Sequence, residues 1–151
     1  MTIKELSVLS ESQVSEVLSL MGELTSSIVV TPEMVLRTVA SSTSHFFAVM
    51  ADDGRIIGCA TLCVFDSPTG RKASVEDVVV SVQYRGQGLG RKLMEHVIDY
   101  ARRELVDVDL HLTSKPHRVA ANNLYQHLGF RKKETNVYVM EAESIITKYL
   151  K

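Results

Sequence analysis

The run Arg85-Gly86-Gln87-Gly88-Leu89-Gly90 holds three of the chain's eight glycines within five residues, between an apolar stretch and a segment with helical spacing. A turn of this kind exposes backbone N–H groups, and glycine removes the Cβ atoms that would hold an anion away. The N-terminus of the following helix adds partial positive charge, so the segment suits a pyrophosphate. Arg85, Arg91 and Lys92 flank it for further anion contacts. Spacing tests the rival phosphate loops. A dinucleotide fingerprint needs Gly-x-Gly-x-x-Gly, and Arg91 stands where the last glycine would fall; no Gly-Lys-Ser/Thr follows for a Walker loop. A tight strand-to-helix turn that binds nothing is the competing reading.

Glu76 and Asp77 form the second constellation, adjacent in the middle of the apolar run Ala73 to Ser81. Strand alternation sends them to opposite faces, so one carboxylate is expected where the surroundings should be apolar. Either it binds or deprotonates a substrate ammonium, or it is a structural carboxylate satisfied by an arginine or a strand bulge. The five histidines, at 45, 96, 111, 117 and 127, show no metal-ligand spacing, and no metal is expected. Cys59 and Cys63 read as buried thiols, and the sequence offers no base for a cysteine nucleophile.

The elements that must position these residues follow from periodicity. Ile3 to Val8 reads as a first strand, and Ser10-x-x-Gln13 as a capping box opening a helix whose inner stripe is Val14, Val17, Leu18 and Met21. Thr31-Pro32 starts a second helix running to about Ala40, with Met34, Val35 and Val39 facing inward. Phe46 to Ala51 and Ile56 to Val64 are antiparallel strands joined at Asp52-Asp53-Gly54-Arg55. Asp66 to Gly70 is a loop, and Ala73 to Ser81 the next strand. A long amphipathic helix covers Gly88 to Glu104. Val106 to Leu112 reads as a half-buried strand, Val119 to Leu128 as a helix stopped by Gly129, and Val137 to Met140 as a final strand. The tail from Glu141 to Lys151 suits a short helix. The order β-α-α-β-β-β-α-β-α-β predicts a mixed α/β sheet with helices on both faces, in a single domain over residues 1–151.

Composition bounds the partners. With 17 basic and 18 acidic side chains the formal charge is −1, which gives no net attraction for nucleic acid or an anionic membrane. No window approaches the roughly 18 apolar residues of a membrane span, and a soluble cytoplasmic protein is expected.

With these residues in view the chain resembles the GCN5-related N-acetyltransferase (GNAT) superfamily. Arg85, Gly88 and Gly90 match its Arg/Gln-x-x-Gly-x-Gly/Ala motif, and Asn122-Asn123-Leu124-Tyr125-Gln126-His127-Leu128-Gly129-Phe130 resembles its second hallmark. The resemblance covers nearly the whole chain and implies a mostly antiparallel twisted sheet and acetyl-coenzyme A as cosubstrate. It implies that Val78, Val79 and Val80 form a strand splayed from its neighbour. There the backbone of Val78 and Val80 would bond the pantetheine arm, and an N–H near Val78 would polarise the thioester. It further implies a cofactor site over Arg85, Gly86, Gln87, Gly88, Leu89, Gly90 and Arg91. Asn122 would substitute for the asparagine that relatives often carry where Arg118 stands.

By the same resemblance Tyr125 protonates the departing sulfur, and Glu76 or Asp77 handles the amine of a small-molecule acceptor. A narrower likeness, in Glu76-Asp77-Val78-Val79-Val80 before Tyr84-Arg85, is to the glucosamine-6-phosphate N-acetyltransferase branch. Dimerisation is common among similar proteins, so a homodimer is among the implied assemblies. The alternative of another class is a non-catalytic acyl-coenzyme A-binding module, which would need the loop and the strand but neither Tyr125 nor the carboxylates.

Overall fold

In the computed structural model, which describes residues 1–149, the chain forms two compact units, Met1–Lys115 and the segment from Pro116 on. The first unit opens with β1 (Thr2–Glu5) and α1 (Glu11–Leu24). The α1 start is the expected capping box: Ser10 Oγ accepts from the Gln13 N–H at 3.3 Å, and Gln13 Oε1 accepts from the Ser10 N–H at 3.0 Å. Helix α2 (Pro32–Ala40) follows, with Thr31 Oγ1 accepting from the Met34 N–H and proline filling the first turn, where its missing N–H costs nothing.

Strands β2 (Ser44–Met50), β3 (Ile56–Ser67) and β4 (Gly70–Val80) form an antiparallel meander, and α3 (Leu89–Glu104) leads to a two-residue β5 (Leu110–His111) parallel to β4. The sheet order is β1-β2-β3-β4-β5. Alternation on β2 divides the core between two faces. Phe46 and Ala48 pack in one cluster with Val14, Val17, Val35 and Val39 of α1 and α2. Phe47, wholly buried between them in sequence, meets His96 and Tyr100 of α3 edge-on at centroid distances of 5.5 and 5.2 Å. Helices thus cover both faces of the sheet. The second unit holds α4 (Val119–His127) and α5 (Ala142–Tyr149). No helix among the described residues is long and apolar enough to cross a membrane.

Several expected elements differ. Val137 to Met140 forms no strand: a strand exists only through a ladder, and these side chains stand 53–88% exposed without one. The stretch Val106 to Leu112 contributes only Leu110–His111, because Asp107 adopts a left-handed φ of 60° and turns the chain before it can extend. The Asp66 to Gly70 loop is a tight hairpin, β3 running to Ser67 and β4 starting at Gly70. Met34 is 40% exposed, since α2 buries the stripe of Val35 and Val39 instead. Leu150 and Lys151 of the expected tail helix lie outside the described residues.

Candidate active site

Strand β4 carries the site, and a bulge shapes it. On β3 only Ala60 separates Cys59 from Thr61, whereas Asp77 and Val78 separate their partners Glu76 and Val79 on β4. Two residues face one, and Asp77 takes a left-handed φ of 53° to fit the extra residue in. Aspartate tolerates this conformation better than most side chains. The bulge overturns the expectation of a buried carboxylate: Glu76 and Asp77 are both exposed. It also returns Val79 to the α1/α2 face, where its side chain is 5% exposed in the core cluster.

Glu76 stands opposite Thr61, the buried polar residue of the core among the described residues, and accepts a hydrogen bond from Ser74 Oγ. Asp77 differs electrostatically: the residue reaches solvent, but its carboxyl is partly screened from water by the surrounding chain. Desolvation, and then the neighbouring Glu76 charge, raise its carboxyl above the ordinary aspartate value.

The outer edge of β4 is open beyond Ser74. Pairing with β5 stops at Ala73↔Leu110 and Ser74↔His111, so Glu76 to Val80 carry no strand partner on that side among the described residues. Ser81 donates its N–H to Ile57 O at 2.9 Å and so faces β3; by alternation Val80 turns its own N–H and C=O to the open edge.

A single 3₁₀ turn, Val82–Tyr84, links this edge to the glycine run. Gly86 and Gly88 take φ of 78° and 74°, and a Cβ added to either would project into open space. Gly88 is the N-cap of α3 and offers no side-chain cap. The first closing bond is Lys92 N–H to Gly88 O at 3.1 Å, so the N–H groups of Leu89, Gly90 and Arg91 have no acceptor within the helix. Leu89 contributes backbone alone, its side chain being 5% exposed in the core. Three uncommitted donors at the positive end of a sixteen-residue helix suit a pyrophosphate.

The basic side chains are more committed than sequence suggested. Arg91 pairs with Glu95 at 2.8 Å along α3. Arg85 donates Nε–H to Val80 O at 2.9 Å and lies 3.6 Å from Glu23 Oε2 on α1. Glu23 was missed by sequence reasoning, because nothing local ties the last turn of α1 to the glycine turn. Gln87 and Lys92 line a concavity of about 330 Å³ against β1. A larger one, about 630 Å³, lies at the far end of α3 and holds none of the expected residues.

In the second unit Tyr125 lies half-buried on α4, its hydroxyl pKa raised by desolvation and lowered in smaller part by Arg118. Asn122 bonds the Pro116 carbonyl through its side chain and the Arg118 carbonyl through its N–H, which fixes the start of α4. Among the described residues no group of three or more His, Cys, Asp or Glu could hold a metal ion.

This architecture is shared with acetyltransferases of known structure. An acetyltransferase from Trypanosoma brucei superposes with a TM-score of 0.72 at 25% identity, over 93% of this chain and 99% of that one. Residues 20–130 match the acetyltransferase (GNAT) family, and the chain belongs to it. A glucosamine 6-phosphate N-acetyltransferase of Trypanosoma brucei brucei is 34% identical over 141 residues, covering 86% of this chain and 90% of that protein. N-acetyltransferase family 8 member 2 of Rattus norvegicus is 35% identical over 88 residues, 57% of this chain and 38% of the rat protein. The chain therefore spans well under half the length of that relative.

Proposed function

We propose that the chain transfers an acetyl group from acetyl-coenzyme A to the primary amine of a small molecule, by direct attack in a ternary complex. The observation that carries this reading is the open edge of β4 running into two left-handed glycines and the uncapped start of α3. An extended amide-bearing arm can add to the strand while a pyrophosphate meets the helix N–H groups. When bound, acetyl-coenzyme A supplies a thioester whose C–S bond breaks as the C–N bond to the amine forms.

The chain's own groups hold and move the protons. Val80, and Val78 in the bulge, offer backbone groups to the arm. Asp77, with its raised proton affinity, takes a proton from the attacking amine, directly or through water, and Glu76 orients the ammonium beforehand. Tyr125 donates its hydroxyl proton to the departing sulfur; this role rests on the family likeness.

The test is thiol release from acetyl-coenzyme A over an amine panel. Release that depends on added amine supports the reading, and tight coenzyme A binding without turnover on any amine would leave a binding module. A second reading, glucosamine 6-phosphate as acceptor, is favoured by the relative matched over 90% of its length. Including that amino sugar in the panel decides it.

A further inference from the structure

The motif that opens the phosphate loop starts with Arg85, and its contacts are to β4 and to α1. The guanidinium donates Nε–H to Val80 O at 2.9 Å and sits 3.6 Å from Glu23 Oε2. Glu23 is itself occupied by the same turn: Oε2 accepts from the Val82 N–H at 2.8 Å, and Oε1 accepts from Ser81 Oγ at 3.3 Å. Glu23 belongs to the last turn of α1, whose cluster covers the face of the sheet opposite α3. It therefore ties the guanidinium to the last turn of α1. A helix C-terminus welcomes a cation, and α1 has no basic residue of its own in that turn.

The consequence for β4 is specific. Val80 turns both backbone groups outward, and Arg85 satisfies its carbonyl. The outward group left at that residue is the N–H.

We propose that Arg85 is a positioning residue and not a phosphate ligand. Held by Glu23, it saturates the Val80 carbonyl and fixes the turn from Ser81 to Arg85, so that the Val80 N–H is presented to an amide carbonyl of the pantetheine arm. The proposal rests on the acetyl-coenzyme A reading above.

The two roles of Arg85 predict opposite signs for Glu23→Gln. If Arg85 binds phosphate, Glu23 competes for it, and its neutralisation tightens binding. If Glu23 holds a positioning arginine, the same change weakens binding. The experiment is calorimetric titration of the wild-type chain, Glu23→Gln, Arg85→Ala, Arg85→Lys and the Glu23→Gln/Arg85→Ala double variant. Two ligands are compared: coenzyme A, and adenosine diphosphate, which carries the pyrophosphate without the pantetheine arm.

The expected result is that Glu23→Gln and Arg85→Ala each weaken coenzyme A binding about tenfold, as loss of a charge-assisted hydrogen bond does. Adenosine diphosphate should shift by less than about twofold, and the double variant should be no worse than Arg85→Ala, because the two residues act as one unit. Arg85→Lys, which keeps a donor and the charge, should recover part of the loss, a selective rescue that a folding defect would not give. Equal weakening of both ligands by Arg85→Ala, or a Glu23→Gln variant that binds coenzyme A as well as or better than wild type, overturns the proposal alone. A wild-type chain that binds no coenzyme A overturns the functional reading and this proposal with it.

Discussion

The ring of Tyr125 meets that of Phe130 edge-on, centroids 6.1 Å apart, across the turn that ends α4. Gly129 there takes a φ of 98°, its N–H bonds Gln126 O at 3.1 Å, and the Phe130 N–H bonds Tyr125 O at 3.0 Å. These are the two crossed bonds of a Schellman cap, and the ring pair is the apolar contact that accompanies one. The side chain expected to act as an acid is thus held by the device that stops its helix. Tyr125→Phe keeps the ring contact and removes the proton. It should leave the melting temperature and coenzyme A affinity unchanged while lowering the transfer rate roughly tenfold or more, measured as thiol release. An unchanged rate would remove Tyr125 from the chemistry.

Gly88→Ala separates backbone strain from lost ligand. A Cβ meets nothing within 4 Å, but φ is 74°, so the fold should lose about 1 kcal/mol through conformation alone. Coenzyme A affinity should fall by more than that, because the methyl group would occupy open space beside the free N–H groups of the α3 N-terminus, where the proposed pyrophosphate would approach. Chemical denaturation and calorimetry on the same variant give the two numbers.

Gly58 is closely confined. A Cβ there would stand 3.0 Å from Val79 O and 3.2 Å from Val80 Cγ2, so Gly58→Ala should push β3 from β4 and cost about 1–3 kcal/mol in urea unfolding. The displaced residues adjoin the bulge and the open edge, so turnover should fall as well.

Asp77 yields a prediction in pH. A carboxyl whose pKa is raised in the fold favours the folded state while it is protonated, and that contribution is lost as pH rises through the folded value. At neutral pH its charge is therefore a cost. Asp77→Asn, which also tolerates the left-handed φ of 53°, should raise the melting temperature at neutral pH, with the gain shrinking toward the acid side of the ordinary aspartate range. Transfer should slow in the same variant. Asp77→Val should instead destabilise by about 1–2 kcal/mol through backbone strain.

Burial pushes the Cys59 thiol up to about 12, so it is protonated at neutral pH and a poor nucleophile. Cys63 is raised as well, first by desolvation. An alkylating reagent at about pH 8 should label Cys59 only after unfolding, and Cys59→Ala should retain amine-dependent thiol release. Prompt native-state labelling of Cys59 with loss of turnover would reopen a covalent route.

What could be read in the sequence was what neighbouring residues decide among themselves. Ser10 with Gln13, Thr31 with Pro32, and Gly129 after Leu128 each carry their partner within a few positions, and each caps its helix as expected. The strand-to-helix turn at Gly86 and Gly88 was legible for the same reason. A strand bulge was one of the alternatives open for the Glu76-Asp77 pair, but its place was not legible, because nothing in the run tells which residue is the extra one until the register with Thr61 and Cys59 is known. Glu23 reaches Arg85 only through the packing of α1 on the sheet, and no spacing rule spans that distance. Val137 to Met140 has strand-forming residues, but composition cannot supply a ladder partner.

The hairpin between β3 and β4 turns over two residues, Pro68 and Thr69, joining strands of twelve and eleven residues. Closing so short a loop costs little chain entropy, so this ladder can zip early in folding, before β5 or the β1 edge has a template. The open edge and the bulge are then set by counting outward from that turn. One residue inserted between Ser67 and Gly70 would offset the count along the ladder and drive Glu76 and Val79 toward the wrong faces unless the strand slipped back. The turn at Pro68 and Thr69 precedes the bulge at Asp77 along β4, and it is the reading frame of the site.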